Sequence, residues 1–288
     1  MVELVAAGGL VCNRAGAASC TRRAWHRQVL KQTARCLGVW SLGGLAGRAV
    51  RAGQGERWPF EARRGLFLIH AQSAQGAMQL WPDDLDRLPE ELAERLELPQ
   101  PAAPVFVFLF DDKSSYRRYL TTYFPEAPRR RALFIQSRGF PMVFAYGQRE
   151  LPVDLRHEAT HAFLRELVPL VPLWLDEGLA EYFEMPPSDR GTAHPHAAAV
   201  RLAARLRLVP ALEKLEPFVQ IQELSSTDYR NCWAWTHFLL HGPQPVQETF
   251  RGYLADLRAG RPEPPLSVRL RQSISDLQSA LADHFRRW

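Results

Sequence analysis

Near residue 150 the chain changes its period, and that change constrains the fold more than any other feature of the sequence. Before it lie short apolar runs of strand length, at 66–69, 105–110, 132–136 and 142–146. The run at 105–110 is apolar throughout, follows Pro104, and hands over through Asp111-Asp112 to a helix reaching Tyr123, so it reads as a buried strand. Residues 83–98 place leucines at helical spacing but are interrupted by Pro89, and Ser137-Arg138-Gly139 suits a hairpin connection. After residue 150 helical spacing takes over, at 154–167, 174–184, 196–208, 228–241 and 273–287. Pro169, Pro172, Pro186-Pro187, Pro210 and Pro243 fall between these segments as breakers. The expected architecture is α+β, a small N-terminal mixed sheet with helices followed by a mainly helical C-terminal half, with a site where the two meet. No internal repeat divides it, and residues 53–288 read as one domain.

The first helix after the change carries His157-Glu158-Ala159-Thr160-His161. This is H-E-x-x-H, in which histidines four apart project from one helix face and reach one ion. At about 100° per residue, His161 falls about 40° and Glu158 about 100° from His157, while Leu155, Ala159, Ala162 and Phe163 cluster at about 140–240°. The helix therefore has an apolar face for the core and a separate face for ligands. A solvated polar stripe is the bland alternative, and a five-residue motif alone does not exclude it.

Fifteen residues, 162–176, separate His161 from Glu177 in a second segment, Trp174-Leu175-Asp176-Glu177-Gly178-Leu179-Ala180-Glu181-Tyr182. H-E-x-x-H followed by this segment resembles the gluzincin zinc peptidases, particularly their aminopeptidase-like branch and a set of bacterial exported proteins. The resemblance is strong over about residues 150–185 and holds elsewhere in outline. It implies a zincin-like catalytic domain holding one Zn2+ per chain, with His157, His161 and Glu177 as metal ligands. It makes Glu158 the general base and Glu181 a supporting carboxylate that fixes a ligand imidazole. Two His and one Glu leave a fourth position for water, as in a catalytic rather than a structural site. The implied activity is zinc-dependent hydrolysis of a peptide or protein substrate. A strand bordering the cleft, at 142–146 or 132–136, would pair with that substrate.

The intervening segment holds no Tyr or His, so the thermolysin-type electrophile is missing there. In aminopeptidase-like gluzincins a downstream Tyr serves, and by position this is Tyr229. Tyr229 also belongs to a helical stripe with Trp233, Thr236 and Leu240, and such a stripe favours core packing as its role. His194 and His196, flanking Pro195, read as surface-loop residues, and His237 as structural. A rival from a different class is a non-catalytic exported zinc-binding module; retention of Glu158, which holds no metal, speaks for the enzyme.

The charge is unevenly placed. Of 36 basic and 31 acidic residues, positions 1–52 take eight and one, leaving a slightly acidic body and no case for nucleic acid as a partner. Those positions have the layout of an export leader: a basic stretch, an uncharged run at 36–47 and small residues before a cut after Ala52. Arg22-Arg23 resembles a twin-arginine signal, which directs the protein to the periplasm or outside; without export it is cytoplasmic. The uncharged run is shorter than a membrane span, which needs about 17–25 residues, so no integral span is expected beyond the leader. Three of four cysteines also lie there, and Cys232 is expected as a lone buried thiol. Oligomeric state is left open.

Overall fold

The computed structural model describes residues 58–75, 81–137, 139–190 and 193–288, so the leader lies outside the described residues, as does Arg138 of the hairpin connection. The strands are β1 (Phe60–Arg64), β2 (Phe67–Ala71), β3 (Val105–Phe110), β4 (Ala132–Ser137) and β5 (Phe140–Tyr146). Helices α1 (Leu88–Leu96) and α2 (Lys113–Tyr123) lie among them. The helical half then runs α3 (Leu151–Leu167), α4 (Leu173–Phe183), α5 (Ala197–Arg205), α6 (Ser226–His241), α7 (Gln244–Arg258), α8 (Leu266–Leu270) and α9 (Leu277–Arg287).

Strand order is β1-β2-β3-β5-β4, with β2, β3 and β5 mutually parallel and the two outer strands antiparallel to their neighbours. All six residues of β3 are buried because the sheet is covered on both faces. Val105, Val107 and Leu109 join the large core shared with α1, α3 and the helical half. Phe106, Phe108 and Phe110 point the other way, into an aromatic layer closed by Tyr116, Tyr119 and Leu120 of α2. Phe108 stacks on Phe144 at 4.9 Å between ring centroids. Truncating either ring to alanine is worth about 3–5 kcal/mol of stability.

Leu155, Ala159, Ala162 and Phe163 all enter the large core, as the helical angles require. That burial fixes the roll of α3 and so aims His157, Glu158 and His161. Of the two strands that could border a cleft, β5 is internal and β4 is the outer one.

The prolines read as breakers all lie between helices, but others start them. Pro89, Pro152 and Pro245 occupy the first turns of α1, α3 and α7, where the missing N–H has no helical partner to lose. Pro89 thus starts α1 instead of interrupting it. The helix α7 is not among the segments expected from the sequence, although Val246, Phe250, Tyr253, Leu254 and Leu257 recur at helical spacing and are buried. Among the described residues no helix is long and apolar enough to cross a membrane.

Candidate metal centre and cleft

The helices α3 and α4 are joined by a short turn, and their packing brings the two motifs together. Gly178 of the second motif lies where α4 crosses α6. A Cβ there would meet the Cys232 carbonyl oxygen at 2.6 Å and its carbon at 2.9 Å, so the helices approach this closely only over glycine.

Each imidazole is held from behind. His157 Nδ1 donates to Glu184 Oε2 at 2.9 Å, and His161 Nδ1 donates to Asp176 Oδ1 at 2.9 Å. With both Nδ1 protons so engaged, the two Nε2 atoms present lone pairs to one another at 3.2 Å. Glu177 Oε2 completes a triangle at 3.7 Å from His157 Nε2 and 3.8 Å from His161 Nε2. Glu177 is 0% exposed, and neither of its carboxylate oxygens has a hydrogen-bond partner. Two imidazole nitrogens and a buried carboxylate oxygen without a hydrogen bond thus form a cluster that could hold a cation.

The dimensions fit zinc. A triangle with these sides has a circumradius of about 2.1 Å, matching Zn–N and Zn–O distances of about 2.0–2.2 Å. The electrostatics agree. Burial opposes a charge on His157, yet Glu177 and Glu184 outweigh it and hold the pKa well above the ordinary value. Burial likewise opposes a charge on His161, and Asp176 and Glu177 raise its pKa in spite of it. The pocket draws positive charge to this point.

Glu158 stands outside the triangle. Its Oε2 accepts the Phe134 backbone N–H at 2.7 Å, from the free edge of β4, and its other oxygen is left for a reacting group. Around it opens a cleft of about 470 Å3, lined also by His157, Tyr229 and Arg129–Arg131. Tyr229, on the first turn of α6, is half-buried in the cleft wall, while Trp233, Thr236 and Leu240 of its stripe are buried in the core. Arg130 Nη2 donates to the Tyr229 phenol oxygen at 2.9 Å.

Two expectations are corrected. Glu181 is not the partner of a ligand imidazole: its Oε2 accepts from His196 Nε2 at 3.1 Å, although it stays within 4.8 Å of the donor atoms of His157 and Glu184. Glu184 and Asp176 take the supporting role. Glu184 lies seven positions past Glu177, two helical turns along the same face, and that spacing was the signal available in the sequence. Nor is His194 a surface-loop residue. It is 3% exposed, stacks on Trp233 at 4.5 Å between centroids, and donates from Nε2 to the Glu181 carbonyl at 3.0 Å. His237 is buried against His284, and Cys232 is free and buried.

No protein-family model matches this chain, and no curated protein is found to be similar to it.

Proposed function

We propose that this protein is a zinc-dependent peptidase, with the metal held by His157, His161 and Glu177 and Glu158 as general base. The observation that carries the reading is the convergence of two Nε2 lone pairs on a buried carboxylate whose oxygens have no other partner. Bound there, zinc supplies Lewis-acid polarisation of a carbonyl and lowers the pKa of a water.

The chain's own residues do the rest. Glu158, anchored through Oε2, takes the proton of the attacking water at Oε1 and delivers it to the departing amine nitrogen. Because Arg130 donates to the Tyr229 oxygen, the phenol proton is free for the carbonyl oxygen as negative charge develops there. The outer edge of β4, apart from the Phe134 N–H held by Glu158, offers backbone groups to an extended substrate. The twin-arginine-like leader supports export to the periplasm or beyond.

The test is incubation of the zinc-loaded protein with a diverse peptide library, reading cuts by mass spectrometry. The expected result is cleavage that chelator suppresses and Glu158→Gln abolishes while keeping its zinc. Zinc-replete protein that cuts nothing would favour a binding module, and equal cutting by Glu158→Gln would expose a contaminant.

A further inference from the structure

We infer that Arg129 and Arg130 recognise a carboxylate carried by the substrate beside the bond to be cut, either its free C-terminus or an acidic side chain. This names the substrate class of the proposed peptidase site and rests on that reading.

Charge accounting in the cleft leads to it. Asp154 is taken by Arg131, whose Nη2 stands 2.9 Å from Oδ1, and by Gln148. Glu184 is hydrogen-bonded by His157 and Glu181 by His196, so neither reaches the arginines. Of the remaining carboxylates, Glu177 belongs to the candidate metal cluster and Glu158 stands beside it in the cleft. Arg129 and Arg130 line the same cleft, and among the described residues neither has a carboxylate within ion-pair distance. Arg129 is exposed. Arg130 is half-buried, and its side-chain partner is a neutral phenol, which satisfies one donor of five and cancels no charge.

A guanidinium fork held in a partly dry wall with no carboxylate in direct contact suits one from outside, which it can grip with two parallel N–H···O bonds. Placement agrees with chemistry. The arginines immediately precede β4, so an extended peptide added antiparallel to that free edge brings its C-terminal side to them.

The experiment measures equilibrium binding to the zinc-loaded full chain carrying Glu158→Gln, so that chemistry plays no part. Three probes are titrated calorimetrically: acetyl-tetraalanine as the free acid, as the amide, and as the amide with one alanine replaced by glutamate. At least one acid probe is expected to bind about ten-fold or more tightly than the neutral amide, and which of them does identifies the source of the carboxylate. Adding Arg129→Gln and Arg130→Gln should bring all three to the affinity of the amide, with zinc content and circular dichroism unchanged. Arg129→Gln alone, at an exposed position, should lose part of the preference if the double variant folds poorly. Equal affinities for the three probes, or none measurable, would overturn the inference. So would a preference that survives both substitutions, since zinc itself would then be holding the carboxylate. Hydrolysis by the wild type is read separately, so a peptidase without this preference and a carboxylate-binding cleft without peptidase activity give different results.

Discussion

Replacing Glu177 by Gln should stabilise the metal-free protein and remove its response to zinc. Metal-free, the Glu177 carboxylate is fully buried and neither oxygen receives a hydrogen bond. Once the imidazoles 3.7 and 3.8 Å away have lost their compensating protons, a buried charge of this kind costs about 3–5 kcal/mol, whereas an unsatisfied neutral amide costs about 1–3 kcal/mol. The difference, about 2 kcal/mol, corresponds to a rise in Tm of about 4–8 °C for a domain of this size. Zinc reverses the order, because a ligand at about a thousand times its Kd adds about 4 kcal/mol to the wild type, and the variant lacks one of three ligands. The assay is scanning calorimetry of both proteins with chelator and with zinc, at alkaline pH where fewer imidazoles carry a compensating proton. A lower Tm for Glu177→Gln in chelator, or an equal zinc-induced rise in both proteins, would refute the reasoning and make Glu177 a structural residue.

Asp176→Asn and Glu184→Gln should each weaken zinc binding about 10- to 100-fold, with Glu181→Gln changing it little; competition with a chromophoric chelator ranks them, and the reverse order would restore Glu181 to the supporting role. Gly178→Ala forces α4 from α6 and should cost about 1–3 kcal/mol in urea unfolding; an unchanged midpoint would deny the close crossing. Tyr229→Phe should lower kcat about 10²- to 10³-fold with KM little altered, the usual cost of one oxyanion donor; an unchanged kcat would return Tyr229 to packing alone. Burial, together with neighbouring positive charge, lowers His237 to about 2 and His241 and His284 to about 4, so all three fold neutral. The unfolded chain then binds more protons, so stability is full above the ordinary imidazole pKa of about 6.5 and declines as pH falls toward about 4. A urea midpoint that stays flat across that window would contradict it.

The parts legible in the sequence were those set by local period. The roll of α3 followed from four apolar residues, and the burial of β3 from six. What resisted reading depended on partners far away in the chain. Glu181 and Glu184 sit on one helix, and only the loop returning with His194 and His196 decides which of them is left to face His157. The strand β1 alternates half-buried and exposed residues over Phe60–Arg64, a pattern with too few apolar positions to stand out until β2 pairs with it. Nothing local marks the arginines at 129–131, because their setting comes from the phenol that α6 and the H-E-x-x-H residues that α3 place beside them.

The cleft thus joins two kinds of connection. From His157 to Glu184, the metal donors and the carboxylates behind them fall within 27 positions of one another, on a single helical hairpin. The Glu158 anchor closes a loop of similar length, 24 positions back to β4, whereas the Arg130–Tyr229 bond spans 99. Contacts that close short loops form early and survive partial unfolding, and those that close long loops do neither. Zinc capture and turnover should therefore come apart under stress. If the proposed zinc is bound, mild denaturant should leave it on the hairpin after the arginine and tyrosine have separated, giving a state that is metal-bound and inert. Such a protein can acquire its ion before its tertiary structure is complete and stay silent until the last long-range contact closes.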